Sequence, residues 1–323
     1  MEPKAALVTG GNSGIGFECA RELARRGWQV VIASRDRATS AAAVARIRES
    51  TGNDAVSEIG LDLGSIASVR SFVREIEAAD LPLRALVCNA GLQVTRGLSR
   101  STDGYELTFA VNHLGHFLLT NLLLERLVAH APARVVVVAS GVHDPKLRTG
   151  MPKPQISDVA TLAATGGPRL GEYDGRLAYV NSKLCNLWFA YELARRLESA
   201  HLVNGRLTVN AFDPGLVPGS GLARDYPAAL RFVWNRVLPG LARLLSRVIP
   251  GVNPADKAGT ALARLVLDPA LGGVSAKYFP SHTRWHEAPS SDASYDAALA
   301  RALWEESVRM TNLTAVDSPL LAA

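Results

Sequence analysis

The chain has 323 residues, of which 48% are hydrophobic, so it can bury a substantial core in one large α/β domain or two small ones. The formal charge of +5 is modest, and no lysine cluster with interleaved aromatic residues indicates a nucleic-acid surface. The three cysteines lie in apolar segments outside any Cys-x-x-Cys pair, which predicts reduced thiols in a cytoplasmic protein. We expect neither a signal peptide before the first strand nor an integral membrane segment.

Apolar strand-like runs alternate with helical patterns along most of the chain. The predicted strands are Ala5–Thr9, Gln29–Ser34, Ala55–Leu61, Arg84–Cys88, Arg134–Ser140 and Arg206–Phe212. Helices are predicted near 15–26, 37–49, 65–78, 103–129 and 176–199. Near-continuous apolar runs are typical of strands that are buried on both faces. The pattern predicts an α/β fold, a Rossmann-type doubly wound parallel sheet with helices on both faces, in a single domain over 1–323.

Two segments interrupt this alternation. Residues 141–178 are rich in proline and glycine and predict a long insertion or flap. Residues 216–253 carry apolar residues at helical spacing, with interleaved arginines and an interruption at Pro239-Gly240. This second segment is compatible with packed amphipathic helices, a mobile substrate lid or a membrane-surface helix, and we favour packed helices that form a substrate lid. A C-terminal helix and tail are predicted over 290–323.

A glycine-rich turn, Thr9 to Gly16, follows the first strand and opens the first helix. Gly10 permits the tight turn, and Gly14 and Gly16 let a pyrophosphate approach the helix N-terminus, whose N–H groups favour anions. The spacing is Gly-x-x-x-Gly-x-Gly rather than Gly-x-Gly-x-x-Gly. The turn predicts a dinucleotide site made by Gly10, Asn12, Ser13, Gly14, Ile15 and Gly16.

The end of the second predicted strand bears on the choice of dinucleotide. Ser34 and Arg35 stand where an acidic residue would hold a ribose 2′-hydroxyl, and an arginine accommodates a 2′-phosphate. This favours NADP(H). The alternative is that Arg35 is a solvated surface charge and that Asp36 holds the ribose.

Tyr179 and Lys183 are four residues apart on a predicted helix and share one face. A lysine ammonium beside a phenol favours the phenolate and lowers the tyrosine pKa below its reference value of about 10. Such a tyrosine can give a proton to a carbonyl oxygen or take one from an alcohol. Together with the glycine turn, the pair predicts hydride transfer.

These motifs resemble those of the short-chain dehydrogenase/reductase family. The matching residues are the Thr9–Gly16 turn, Asp62, Asn89-Ala90-Gly91, Asn112, Ser140, Tyr179, Lys183 and Pro214-Gly215. Further features resemble the retinol dehydrogenase-like and protochlorophyllide reductase-like branch. They are Asn112 to Phe117, Asn181 to Asn186, the 141–178 insertion and a C-terminal strand at Lys277-Tyr278-Phe279.

The resemblance implies a role for each matching catalytic residue. Tyr179 is the general acid and base, and Lys183 lowers its pKa and holds the nicotinamide ribose. Ser140 hydrogen-bonds the substrate carbonyl, and Asn112 positions a water that links Lys183 to solvent.

The resemblance also implies cofactor contacts from four further segments. Asp62 meets the adenine edge, Asn89 lies near the adenosine ribose, and Val217 offers its backbone to the nicotinamide carboxamide. The remaining expected cofactor contacts are Leu63, Ala90, Gly91, Pro214 and Gly215.

Expected substrate contacts are Ser140, His143, Leu216 and Trp234. His113 and His116 lie three apart with no third ligand, so we predict packing or a buried hydrogen bond and no metal site. The family often has threonine at the position of Gly219, where Ser220 offers a substitute hydroxyl. Protochlorophyllide reductases have a cysteine at the position of Leu216.

The sequence therefore predicts an NADPH-dependent reductase for a ketone or aldehyde of a bulky apolar substrate, polycyclic or isoprenoid, or the reverse alcohol oxidation. Two alternatives remain at this point. One is a light-dependent reductase of the protochlorophyllide type that acts on a C=C bond. The other is a non-catalytic dinucleotide-binding sensor or scaffold. The resemblance implies a homodimer or homotetramer.

Overall fold

A computed structural model of the chain describes residues 3–169, 171, 173–202, 206–221, 225, 227–249 and 251–321. The strands are β1 (Ala5–Thr9), β2 (Gln29–Ser34), β3 (Val56–Gly60), β4 (Leu83–Cys88), β5 (Ala133–Val138), β6 (Leu207–Asp213) and β7 (Lys277–Pro280). The helices are α1 (Gly14–Arg25), α2 (Arg37–Thr51), α3 (Ile66–Ala78), α4 (Leu107–Phe109), α5 (Gly115–Leu122), α6 (Leu124–Ala129), α7 (Val159–Thr165), α8 (Gly175–Ser199), α9 (Ala228–Phe232), α10 (Leu238–Val248), α11 (Ala255–Leu267) and α12 (Ala297–Thr311). Small parts of the predicted insertion, lid and tail, at 170, 172, 222–224, 226, 250, 322 and 323, lie outside the described residues.

The strands form one parallel sheet in the order β3-β2-β1-β4-β5-β6-β7. The chain winds outward from β1 in one direction and then from β4 in the other, so the order reverses between these two strands. Ligands of open α/β sheets bind at the carboxyl ends of the strands, at this reversal. The predicted doubly wound, single-domain fold is confirmed, and its topology indicates where a ligand site lies.

Strand β5 shows why the apolar runs form a sheet that is covered on both faces. Val135 and Val137 enter the core on one face, and Val136 and Val138 enter the core on the other. This alternation follows from the two-residue period of a strand. Helices α3, α5, α8 and α12 cover the first face, and α1, α2 and α11 cover the second.

The predicted continuous helix over 103–129 is interrupted in the structure. It starts at Leu107 because the Glu106 carboxylate accepts hydrogen bonds from the N–H groups of Thr108 at 2.9 Å and Phe109 at 2.6 Å. A π-helical turn then spans Ala110–Leu114 before α5 begins. Single π turns inside helices are frequent at functional sites, and this one contains Asn112.

The segment from 228 to 249, which we call the lid arm, also differs from the prediction. Helix α9 is followed directly by a π turn at Val233–Val237 and then by α10, and Pro239 lies in the first turn of α10. Among the described residues of the lid arm only Ala242 is buried. Trp234, Leu238 and Leu245 are half-buried, so the lid arm packs along one side and leaves exposed the rest of the apolar face that we expected to be packed. No helix in the described part of the chain is both long and apolar enough to cross a membrane.

Gly115, at the start of α5, provides a test of the packing that places the π turn. A Cβ at this position would lie 2.9 Å from the Leu63 Cβ and would overlap the Leu63 carbonyl oxygen. We expect Gly115→Ala to lower the free energy of unfolding by about 1–3 kcal/mol, because the crowded backbone must shift. Urea denaturation monitored by circular dichroism measures this change.

The matched control is Gly240→Ala in α10, where a Cβ would meet no described atom within 4 Å. Removing glycine flexibility there should stabilise the protein by about 0.5–1 kcal/mol. Equal unfolding midpoints for the two variants would contradict the packing argument.

Candidate active site

A cavity of about 1090 Å³ lies at the carboxyl ends of the strands, where the order of the sheet reverses. It contains every residue that the sequence analysis assigned to the cofactor. These are Gly10, Asn12, Ser13, Gly14, Ile15, Gly16, Ser34, Arg35, Asp62, Leu63, Asn89, Ala90, Gly91, Tyr179, Lys183, Pro214, Gly215 and Val217. Ser140, Leu216 and Trp234 line the same cavity, so residues from across the chain meet at one site.

The glycine turn has the backbone geometry that a dinucleotide pyrophosphate requires. Gly10 and Gly14 adopt φ angles of +65° and +55°, which residues with a side chain rarely adopt. A side chain at Gly16 would overlap the Gly10 carbonyl and the Asn89 amide. Ser13, the N-cap of α1, makes no side-chain capping hydrogen bond within the described structure, so the first N–H groups of α1 are available to an anion. The turn fits a pyrophosphate.

The rim of the cavity beyond the glycine turn brings Arg35 and Asp36 together. Arg35 is exposed and lines the cavity. The Asp36 carboxylate is the N-cap of α2 and accepts a hydrogen bond from the Thr39 N–H at 3.1 Å. The Thr39 hydroxyl in turn accepts from the Asn12 amide at 2.9 Å, which joins this rim to the glycine turn.

The Thr9 hydroxyl joins the cofactor turn to the helix that carries Asn112. It accepts hydrogen bonds from the N–H groups of Asn89 and Ala90, each at 2.9 Å. Burial lowers the pKa of His116 to about 4, so this ring is neutral. Its Nδ1 donates to the Asn112 carbonyl at 3.1 Å, which leaves Nε2 to accept from the Thr9 hydroxyl at 2.9 Å. The sequence placed Thr9 in the turn but did not reveal this role, because a strand threonine gives no sign of its distant partners.

Tyr179 and Lys183 lie on α8 and line the cavity together. The Lys183 Nζ is 5.6 Å from the centroid of the Tyr179 ring and donates a hydrogen bond to the Val138 carbonyl at 3.1 Å. Burial lowers the pKa of Lys183 to about 8, and the nearby Asp213 carboxylate opposes this effect. Ser140 follows β5 and lines the same cavity, so three of the four expected catalytic side chains share one space.

Asn112 lies behind this wall, outside the cavity lining. Its Oδ1 accepts from the Leu92 N–H at 2.8 Å, and its Nδ2 donates to the Leu92 carbonyl at 3.0 Å and the Ser182 hydroxyl at 2.9 Å. A Cβ at Gly91 would lie 3.3 Å from Asn112 Oδ1 and 3.6 Å from Lys183 Nζ, so a glycine backbone fills the space between these groups. The expected water-positioning role of Asn112 stays a prediction.

The structure places His143 and His113 away from the cavity lining. The His143 Nδ1 donates to the Ser140 carbonyl at 2.6 Å, while its Nε2 accepts from the Ser291 N–H at 3.2 Å. His143 therefore braces the backbone of Ser140, although the sequence analysis placed it at the substrate. His113 is buried, with its Nε2 2.9 Å from the Ser307 hydroxyl. No group of three or more potential metal ligands lies together in the part of the chain that the structure describes.

The loop after β6 and the lid arm form an apolar part of the cavity. Leu216 is 48% exposed and lines the cavity, and the Trp234 Nε1 donates to the Ser220 carbonyl at 3.1 Å. A Cβ at Gly14 would lie 3.8 Å from the Ser220 Cα, which places Ser220 against the glycine turn. Leu147, Met151 and Ile249 also line the cavity, and the sequence did not reveal them because they come from separate segments.

Asp213 is a further site residue that the sequence analysis missed. It is buried at the end of β6 and lines the cavity. Its Oδ1 accepts from the Gly215 N–H at 2.8 Å, and its Oδ2 accepts from the Tyr278 hydroxyl at 3.1 Å. The available signal was a carboxylate at the end of an apolar strand, directly before Pro214-Gly215.

Comparison with known proteins agrees with this geometry. Residues 4–149 match the family described as short chain dehydrogenase. Retinol dehydrogenase 13 of Homo sapiens is 35% identical over 312 residues, which cover 97% of this chain and 86% of that protein. The chain belongs to the short-chain dehydrogenase family. Retinol dehydrogenase 12 of Mus musculus is 36% identical over 311 residues, covering 96% of this chain and 87% of that protein, which confirms the predicted retinol dehydrogenase-like branch.

Solved structures show the same fold at lower sequence identity. A variant of actinorhodin polyketide ketoreductase with NADPH matches with a TM-score of 0.60 and 22% identity over 86% of this chain and 95% of that chain. A 3-oxoacyl (acyl-carrier-protein) reductase from Agrobacterium tumefaciens with NADP bound gives a TM-score of 0.61 and 22% identity, covering 86% of this chain and 92% of that chain. This short-chain dehydrogenase is an oxidoreductase that binds a nicotinamide dinucleotide.

Asp213 is expected to set the upper pH limit of this short-chain dehydrogenase. Its carboxylate raises the pKa of Lys183 against the larger lowering effect of burial. We expect Asp213→Asn to move that pKa below about 8, so that the alkaline limb of kcat/KM shifts to lower pH. The measurement is the pH profile of kcat/KM. Asp80→Asn is the control, since the Asp80 side chain is 91% exposed, and a limb that stays in place in both variants would contradict the role of Asp213.

Proposed function

We propose that this protein is an NADPH-dependent reductase that transfers hydride to a ketone or aldehyde of a bulky apolar substrate, or catalyses the reverse oxidation of the alcohol. The observation that carries the proposal is the meeting of Ser140, Tyr179 and Lys183 in one cavity with the glycine turn. Hydride and proton must reach the same substrate carbonyl, so the dinucleotide site and the proton donor must line one cavity.

The bound dinucleotide supplies the hydride. The Tyr179 hydroxyl gives its proton to the carbonyl oxygen, and the Ser140 hydroxyl donates a hydrogen bond to the same oxygen and polarises the carbonyl. The Lys183 ammonium, held by the Val138 carbonyl, stabilises the phenolate that remains on Tyr179. In the oxidation direction, Tyr179 takes the proton from the alcohol.

The cofactor preference for NADP(H) rests on the two residues at the cavity rim. Arg35 is exposed there and can form a charge-assisted contact with a 2′-phosphate. The Asp36 carboxylate already caps α2 through the Thr39 N–H, which weakens the case for Asp36 as a partner of a ribose 2′-hydroxyl.

The apolar part of the cavity supports a bulky apolar substrate. Leu147, Met151, Leu216, Trp234 and Ile249 line it. The retinol dehydrogenases among the relatives make an isoprenoid aldehyde the first substrate to test, and the polyketide ketoreductase makes a polycyclic ketone the second. Three buried free thiols support a reducing compartment, and we propose the cytoplasm.

The cysteines argue against the light-dependent reductase. Cys19, Cys88 and Cys185 are buried, and the desolvation of each thiol raises its pKa. None of the three is among the residues that the described structure places in the cavity lining. The proposed reaction therefore uses the Tyr179 hydroxyl as its proton donor and proceeds in darkness.

Tyr179→Phe tests the proton donor. The change removes only the hydroxyl, so we expect the turnover to fall by about 10²–10⁴-fold while NADPH still binds. Steady-state NADPH oxidation with retinal and with aromatic polyketones measures the turnover, and fluorescence titration measures the binding. Tyr105→Phe is the control, because the Tyr105 hydroxyl bonds the Met310 carbonyl outside the cavity. Unchanged turnover in the Tyr179 variant would remove this residue from the mechanism.

Arg35→Ala tests the cofactor preference. A charge-assisted hydrogen bond contributes roughly 1.5–3 kcal/mol, so we expect NADPH affinity to fall by about one to two orders of magnitude. NADH affinity should change little, because NADH lacks the 2′-phosphate. Fluorescence titration with both cofactors measures this difference, with the exposed Arg74 changed to Ala as the control. An equal loss for both cofactors would show that Arg35 does not read the 2′-phosphate.

A further inference from the structure

The lid arm exposes a continuous apolar stripe along its whole length. Successive members are three or four positions apart, which is the spacing of one helix face. Each member is at least 41% exposed. The stripe consists of Leu230, Val233, Val237, Leu241, Leu244 and Val248.

Basic residues accompany the stripe. Between positions 228 and 249 the sequence contains four arginines and no aspartate or glutamate. Each arginine is next in sequence to a stripe residue, which on a helix puts it beside the stripe. These arginines are Arg231, Arg236, Arg243 and Arg247.

We propose that the lid arm binds the surface of an anionic lipid bilayer. The apolar stripe would enter the boundary between headgroups and acyl chains, and the exposed Arg236 and Arg247 would contact lipid phosphates. A helix with an apolar face, a cationic polar face and no acidic residue has the composition of such interfacial helices. The lid arm would lie in the plane of the membrane surface.

The charge of the lid arm favours a bilayer over a second copy of this chain. Arg243 pairs with Asp256 at 2.7 Å, but if two copies paired through their stripes, the exposed Arg236 and Arg247 of each copy would still place four positive charges around an apolar contact to which the two lid arms contribute no carboxylate. Like charges oppose such pairing, whereas an anionic headgroup layer supplies the opposite charge along the whole arm.

The position of the lid arm gives this docking a consequence for the cavity. Trp234 and Ile249 belong to the lid arm and also line the cavity. A lid arm seated on a bilayer would hold the mouth of the cavity at the membrane surface, where an apolar substrate is concentrated. This consequence rests on the proposed function, whereas the docking itself does not.

The test is sedimentation of the full chain with vesicles. Vesicles of phosphatidylcholine alone are compared with vesicles of phosphatidylcholine and phosphatidylglycerol in equal parts. We expect binding to the anionic vesicles, weaker binding as salt rises and little binding to the neutral vesicles. NADPH oxidation is measured separately without vesicles, so that failure of docking and failure of the reaction can be told apart.

Paired variants separate the two contributions. We expect Leu244→Glu with Val248→Glu to weaken vesicle binding roughly tenfold or more. We expect Arg236→Gln with Arg247→Gln to weaken it about 25-fold, or about fivefold for each arginine near the surface. The control for the first pair is Val316→Glu with Leu98→Glu, which adds the same charge at side chains that are 96% and 40% exposed outside the lid arm. The control for the second pair is Arg74→Gln with Arg301→Gln, which removes the same charge from exposed positions elsewhere.

Three outcomes would overturn the proposal. One is the absence of binding to anionic vesicles. Another is equal loss of binding in the lid-arm variants and their controls. The third combines two observations: light scattering shows a dimer that Leu244→Glu dissociates, and the parent protein does not bind vesicles. This result would assign the stripe to contact with a second copy.

Discussion

The active site depends on the burial of one charge, the Lys183 ammonium. Removing an ammonium from water is unfavourable unless polar groups replace its hydration. The Val138 carbonyl accepts one of its hydrogen bonds, and the Asp213 carboxylate favours its charged form. These two groups come from the ends of β5 and β6, so the sheet itself supplies the compensation. The same burial brings the charge close to Tyr179, where it can act on a phenol.

Buried hydrogen bonds connect the cofactor end of this site to its catalytic end. The Thr9 hydroxyl contacts the backbone after β4 and the neutral ring of His116, and that ring contacts the Asn112 carbonyl in the π turn. The Asn112 side chain then reaches Ser182, next to Lys183 on α8. Most of these groups are buried, so the loss of one bond would leave an unsatisfied polar group in the interior. This cost favours a single arrangement of the glycine turn, the π turn and α8.

The fold and the centre of the site were predictable because their signals are local. The bounds of Ala5–Thr9 and Gln29–Ser34 are the same in the prediction and in the structure. Tyr179 and Lys183 were found from a spacing of four residues on one helix. His143 was misplaced, since its second partner, Ser291, lies 148 residues away. Asp213 was missed for the same reason, because its partner Tyr278 is 65 residues further along the chain.

The sequence by itself determined the first six strands, their alternation with helices, the glycine turn and the lysine–tyrosine pair, because backbone propensity and periodicity act over a few residues. Only the tertiary structure decided that a π turn interrupts the helix before β5, next to the close contact between Gly115 and Leu63. It also decided that the lid arm leaves its apolar stripe exposed. The periodicity of apolar residues predicts that a helix has an apolar face, but whether that face is covered depends on contacts with residues far away in the chain.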